Sequence, residues 1–226
     1  DSLLSTGKSA STVNRYKSAL KKIFREAIDA EVCTKSPKIK LNKPTRGRVR
    51  FYSKEEISEI KDWLMDRKPW IWLYCVISLN TGMRRGEITK ISEATITPCG
   101  KYIHLATTKN GDSRDVYMNE EAKVAVYELL KLNGNKFVHS TFYRVWDSMR
   151  DDFLRRGIIK DQKDYQSFVF HVFRHTCATN LSSNLHVPIP TISEVLGHRS
   201  IATTMKYAHA KPDHVSDVMM SLGTYN

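Results

Sequence analysis

No stretch of about 18 consecutive apolar residues occurs anywhere in the 226-residue chain, so no transmembrane helix is expected. Cysteine is sparse: Cys33, Cys75, Cys99 and Cys177 lie far apart and form no CxxC pair. That spacing argues against a zinc knuckle or a disulfide framework and fits a reducing compartment. Neither a P-loop nor an HExxH pattern is present, and no paired-carboxylate signature marks a two-metal site. Internal repeats and low-complexity tracts are also missing. The chain opens on Asp1 without a start methionine or a signal-peptide pattern, and the expectation is a fragment of a longer protein.

Positive charge is what the chain has in excess. Its formal net charge is +12, and residues 1–50 carry 13 Lys/Arg against 4 Asp/Glu, or 13 − 4 = +9. A concentrated cationic field suits a polyphosphate partner, since each neutralised phosphate releases a counterion. A solubilising charged face explains the same composition, so charge alone leaves nucleic acid an even choice. A hydrophobic content of 41% is enough for one sizeable core, or one core with a small accessory unit.

Periodicity divides the chain. Val13, Tyr16, Leu20, Ile23, Phe24, Ala27 and Ile28 recur at spacings of three and four, which predicts a helix over 11–30 begun by Ser11 or Thr12. Lys17, Lys21, Lys22 and Arg25 lie between them as a basic flank. Residues 35–50 have two prolines, a glycine and no helical period, as expected of a basic linker that includes Arg46, Arg48 and Arg50. From Phe51 a second module begins. Ser53-Lys-Glu-Glu56 is a capping box for a helix turning Ile57, Ile60 and Leu64 inward. Pro69–Leu79 is nearly all apolar and predicts a buried helix stopped by Thr81-Gly82. Alternating runs at Tyr102–Thr107 and Ser113–Met118 flank Lys109-Asn-Gly-Asp112, a hairpin signal. With a strand near Ile91–Ile96, they predict a small three-stranded antiparallel sheet. Helices are expected over Asn119–Leu132, Thr141–Arg156 and Val172–Leu181, and over a short stretch from Pro190 to a cap at Gly197. The fold class is mainly α with a small sheet. The predicted domains are 1–34, a linker at 35–50, and 51–226.

Four segments hold residues with chemical potential, and each has an ordinary explanation. Thr81-Gly-Met-Arg-Arg-Gly-Glu87 puts two arginines where a helix ends, as a dipole-answering pair would. Lys109 is at a hairpin tip, where lysine is usually just solvated. His171, Arg174 and His175 fall within one helical turn; two histidines four apart could bind a metal, yet no third ligand is evident. Leu196-Gly-His198 leads to Tyr207, which could be a half-buried aromatic.

Their order and spacing change the weighing. TGMRRGE, the lysine of TTKNGDSR, HVFRHTCAT and LGHRSIATTMKYAH together resemble the tyrosine recombinase (phage integrase) family. The likeness runs from about Ser53 to His209, and more loosely over the first helix, which resembles the end of that family's core-DNA-binding domain. Physically, two guanidiniums can grip the non-bridging oxygens of a phosphate and bind it more tightly as charge builds. The resemblance gives those roles to Arg84 and Arg174, with Arg85 the rival to Arg84, and makes Glu87 the buttressing acid. Tyr207 is then the nucleophile, forming a 3′-phosphotyrosyl link. A tyrosine with a solution pKa of about 10 needs cations or a base, and His171 is the candidate proton acceptor. His198 is assigned as a donor to a phosphate oxygen, Lys109 as the general acid for the 5′-oxygen, and His175 as support or packing. No metal and no nucleotide are expected. The implied partner is double-stranded DNA, contacted by Lys17, Lys21, Lys22, Arg25, Arg46, Arg48 and Arg50. The working assembly is a homotetramer on two sites, the free fragment a monomer, and the setting the cytoplasm of a bacterial or phage-infected cell. Residues 211–226 are expected to form a tail helix that packs on a neighbouring protomer or on their own core. Type IB topoisomerase activity, a catalytically silent DNA-binding domain and a metal-dependent nuclease using His171 and His175 are the competing readings.

Overall fold

In the computed structural model the described residues are 9–43, 49–106, 113–132, 139–183 and 187–208. The chain divides into two compact units, residues 1–48 and 49–226.

The first unit is built on helix α1 (Ala10–Asp29). Its cap is Ser9, whose Oγ accepts from the Thr12 N–H at 3.2 Å. The start therefore lies earlier than Ser11 or Thr12, because Ser9 is the extended residue whose oxygen can reach a free amide of the first turn. Residues 40–42, expected to belong to the linker, are tied back to α1. Asn14 and Asn42 exchange two side chain–backbone hydrogen bonds of 2.8 Å, and Lys17 Nζ donates to the Lys40 carbonyl at 2.9 Å. Tyr16, Leu20 and Ile23 are exposed on α1.

The second unit wraps helices around α3 (Pro69–Thr81). Pro69 opens this helix and Gly82, at φ 66°, caps it. It is apolar all round, as a central helix must be, and it packs against α2 (Lys54–Arg67), α5 (Glu120–Lys131) and α8 (Val172–Ser183). The predicted capping box opens α2, with Ser53 and Glu56 satisfying each other's amides. A short α4 (Arg85–Ile88) follows Gly82. Helices α6 (His139–Arg155) and α7 (Gln162–Ser167) bring aromatic residues to the same core. Phe142 stacks on Trp146 with centroids 5.7 Å apart, and Phe170 closes the cluster edge-on. Helix α9 (Ile189–Leu196) ends at Gly197 in the left-handed conformation.

The sheet has two strands among the described residues, β1 (Tyr102–Leu105) and β2 (Arg114–Tyr117), antiparallel with Leu105 opposite Arg114. The expected third strand is not formed. Residues Glu93–Thr95 make a 3-10 turn, and pairing survives only as a single bridge between Ile96 and Ile103. The physical reason is local: Thr95 Oγ1 donates to the Ser92 carbonyl at 2.7 Å and accepts the Ser92 N–H at 3.0 Å. Those bonds compete with a ladder.

Candidate active site

The first arginine segment is shaped by backbone geometry. The Gly82 N–H donates to Ser78 O, Ser78 Oγ donates to Met83 O at 3.0 Å, and Met83 N–H donates to Thr81 Oγ1 at 3.2 Å. This tight turn makes Arg84 the N-cap of the next helix. Glu87 folds back to accept from the Arg84 amide at 2.8 Å and pairs with the Arg84 guanidinium at 2.8 Å. The same carboxylate takes Arg114 Nη2 at 2.9 Å. Burial works to raise the Glu87 carboxyl, but Arg114 and the amide and guanidinium of Arg84 together hold it below its ordinary range.

Arg174 lies on α8 and is only 2% exposed. Its Nη1 donates to Gly82 O at 2.5 Å and its Nη2 to Leu196 O at 2.7 Å, so it joins the C-terminal ends of α3 and α9. Burial, helped by repulsion from Arg84, lowers its pKa to about 10. It stays charged at neutral pH.

Tyr207 sits in a 3-10 turn (Met205–Tyr207) and is 2% exposed. Its ring forms a small apolar cluster with Ala178, Ile192 and Leu196, and its carbonyl accepts from Ser182 Oγ at 2.7 Å. The phenol oxygen is hydrogen-bonded to Nδ1 of His175. Burial pushes the phenol up to about 12 despite Arg174, while burial and Lys206 hold His175 down at about 3. Both partners are neutral at pH 7, and one proton bridges them whichever tautomer the ring adopts. Lys206 Nζ lies 5.0 Å from the Tyr207 ring centre. His171 packs edge-on against His175 at 4.7 Å. His198 is fixed by Thr204 Oγ1 at 2.8 Å. Desolvation and then Arg174 lower both His171 and His198 to about 4.

Arg84, Arg174, His171, His175, His198, Lys206 and Glu87 thus form one electrostatically coupled group, as the mutual shifts require. Arg84 and Arg114 share the single carboxylate of Glu87, and Arg174 is held by two carbonyls, an excess of cation suited to a phosphate. Arg85 turns elsewhere, over Phe142 and Tyr143, and donates to Tyr143 Oη at 2.5 Å. Among the described residues, no three His, Cys, Asp or Glu side chains converge as a metal site, and no helix is long and apolar enough to cross a membrane.

Residues 50–214 match the phage integrase family. The chain belongs to that family. Among this integrase-family chain's relatives, the shufflon-specific DNA recombinase of Escherichia coli is 25% identical over 214 residues, 91% of this chain and 53% of that protein. Tyrosine recombinase XerA of Saccharolobus solfataricus is 30% identical over 131 residues, 58% of this chain and 43% of its own length. The chain therefore spans about half the length of these two relatives. The Tn1549 transposon integrase, solved in complex with circular intermediate DNA, aligns with a TM-score of 0.70 at 21% identity over 96% of this chain and 81% of that one. The catalytic domain of bacteriophage HP1 integrase gives 0.56 at 26% identity, over 79% and 98% respectively.

Some residues expected at the site or on DNA take other places in this integrase-family chain. Arg50 is engaged by two carboxylates, Glu56 at 2.7 Å and Asp164 at 2.9 Å, and lies over Tyr52 and Phe168; its charge is answered internally. In the first unit Lys22 faces Glu26 at 3.6 Å, and Lys21 and Arg25 are exposed. Lys109, Arg46, Arg48 and the tail 211–226 lie outside the described residues. Sequence reasoning does not find Arg114, Ser182, Thr204 or Lys206. Arg114 alone leaves a signal: with period two it shares the inward face of β2 with buried Val116.

Proposed function

We propose that this chain is the cutting and rejoining part of a site-specific DNA recombinase, working through a 3′-phosphotyrosyl intermediate. One observation carries the reading: Tyr207 is hydrogen-bonded to His175 on the helix that also carries Arg174, whose charge acts on the phenol, on Arg84 and on His198 alike. In this scheme the scissile phosphate sits between Arg84 and Arg174, with His198 donating to a non-bridging oxygen. Tyr207 Oη attacks phosphorus and the bond to the 5′-oxygen breaks. The phenolic proton passes to a neighbouring imidazole, and Lys109 protonates the departing oxygen. His171 holds the acceptor role in the family pattern, while His175 is the ring in contact with the hydroxyl before DNA binds. Charge at the phosphate is met by fixed guanidiniums, so the step calls on no metal or nucleotide.

Double-stranded DNA is the proposed partner. The Tn1549 integrase was solved in complex with circular intermediate DNA, and the basic first unit supplies Lys17, Lys21, Lys22 and Arg25 for backbone contacts. The exposed apolar residues of α1 are read as the face that further helices of a core-binding domain cover. A homotetramer on two sites, in the cytoplasm of a bacterial or phage-infected cell, is the proposed assembly and setting.

The test is covalent trapping in chelator. Duplexes with scattered 5′-bridging phosphorothiolate links are incubated with the chain, and SDS-resistant adducts are collected and sequenced. An adduct formed by the wild type and lost in Tyr207→Phe supports the reading. Lys109→Ala, inactive on ordinary DNA, regains cleavage on the phosphorothiolate because a thiolate leaves without an acid. DNA binding with no adduct at all favours the silent-domain alternative. Relaxation of plasmids at every sequence, by the monomer, favours the topoisomerase alternative.

A further inference from the structure

Arg114 is a cation that the reaction scheme does not use. It stands on β2 at the end of the two-stranded ladder, opposite Leu105, where the chain leaves for the hairpin segment containing Lys109. An arginine there would ordinarily be a solvated strand residue. Instead its side chain is 11% exposed and reaches two different parts of the site. Nη2 meets Glu87 Oε2 at 2.9 Å, the carboxylate that also grips Arg84. Nη1 donates to the Val195 carbonyl at 2.6 Å, at the end of α9, three residues before His198.

A second observation shows how closely this seat is fitted. The aliphatic part of Arg114 runs directly over Gly197. A Cβ at that position would stand 2.6 Å from Arg114 Cδ and 2.7 Å from Nε. Gly197 thus serves two ends, ending α9 in a left-handed conformation at φ 60° and leaving the space that Arg114 occupies. Strand β2, the arginine turn and the start of the His198 segment meet on one side chain.

We propose that Arg114 is a positioning residue for strand cleavage, holding Glu87 and the end of α9 in one register so that Arg84 and His198 address the same phosphate. It touches neither Tyr207 nor the phosphate. It acts through Glu87 on one side and through Val195 on the other, and it ties the first residue of β2 to both. The inference rests on the recombinase reading above. A planar fork suits the task because two acceptors in different directions need two fixed donors, which a lysine ammonium on a flexible stem does not supply at once.

The experiment measures single-turnover adduct formation and duplex affinity for the 226-residue chain, using a duplex recovered by the trapping experiment. The variants are Arg114→Met, Arg114→Lys, Glu87→Gln, and Glu87→Gln with Arg114→Met. Misplacing a catalytic group by about 1 Å costs on the order of 10²-fold in rate. Arg114→Met is therefore expected to slow cleavage by about 10²-fold with duplex affinity within about threefold of wild type, and Arg114→Lys to recover part of the rate. Once Glu87→Gln is in place, adding Arg114→Met costs less than about tenfold, because the carboxylate through which it acts is already altered. Gly197→Ala, which displaces the same guanidinium without removing it, is expected to reproduce the cleavage loss. Equal costs in both backgrounds overturn the proposal, as does a loss of affinity that accounts for the whole loss of rate; the latter would make Arg114 a DNA contact. If the wild type forms a Tyr207-dependent adduct and Arg114→Met matches it, only the positioning role fails. If the wild type forms no such adduct, the reading beneath it fails too.

Discussion

Replacing Gly82 by alanine tests whether one backbone position supports both the fold and the seat of Arg174. Gly82 has φ 66°, and a Cβ there would come 2.7 Å from Cδ2 of Leu196, which is fully buried. The left-handed conformation costs a residue with a Cβ about 1–2 kcal/mol. Forcing one methyl into a packed interior adds about 1–3 kcal/mol. The sum is a destabilisation of roughly 2–5 kcal/mol, or a melting temperature lower by roughly 4–20 °C for a unit of this size. The damage is also directed. Gly82 O and Leu196 O are the acceptors of Arg174, so moving Leu196 away from the new methyl shifts both anchors of that guanidinium. Adduct formation should fall even at temperatures where the variant is fully folded. Gly86→Ala is the internal control. Gly86 lies in α4 without a positive φ, and nothing stands within 4 Å of its would-be Cβ. There the alanine should be neutral or stabilising by about 0.4–1 kcal/mol through the unfolded chain. Urea denaturation of the three proteins decides the matter. A Gly82→Ala variant within about 0.5 kcal/mol of wild type would refute the close contact from which the argument starts.

Two further outcomes are expected. His171, His175 and His198 are held at about 4, 3 and 4 in the folded chain, below about 6.5 in the unfolded one. The unfolded state then binds more protons on the acid side, so the stability tied to neutral histidines is complete above about pH 6.5 and is lost as pH falls towards 4. Glu87, lowered by its arginines, acts in the same direction at lower pH; urea midpoints that do not fall between pH 7.5 and 5 would contradict this. Arg84→Ala should reduce adduct formation at least about tenfold more than Arg85→Ala, since loss of an electrostatic contact at the reacting group costs about 10²–10³ in rate. Equal losses, measured in single turnover, would reopen the choice between the two arginines.

Features set by local chemistry are legible in the residues alone. Pro69 and Gly82 bracket an apolar run too uniform to face water, and that run is α3. Asn119 and the capping box at Ser53 mark helix starts because their side chains answer free amides. The strand expected at Ile91–Ile96 fails because its apolar residues fit a strand, whereas Ser92 and Thr95 prefer to bond each other. Helix α7 escapes a reading by periodicity, since its six residues, Gln162–Ser167, expose no apolar period. At the site, motif order names Arg84, Arg174, His198 and Tyr207. Which ring meets the phenol is not legible there: His171 and His175 are one turn apart, and only the packing of α8 against the Met205–Tyr207 turn chooses His175. Arg114 is hidden for a similar reason, because its partners are 27 and 81 residues away along the chain.

The way Arg174 is held has a consequence for how the pocket responds to ions. Both acceptors of this guanidinium are peptide carbonyls at helix ends, partial charges that orient a cation without cancelling it. A carboxylate in the same place would have made a neutral pair inside the protein. Arg174 is instead a charge with no carboxylate bonded to it, buried so that free salt screens it poorly. Small anions such as sulfate should therefore compete for this pocket with a steeper effect on cleavage than on overall DNA binding, where exposed lysines trade one ion for another.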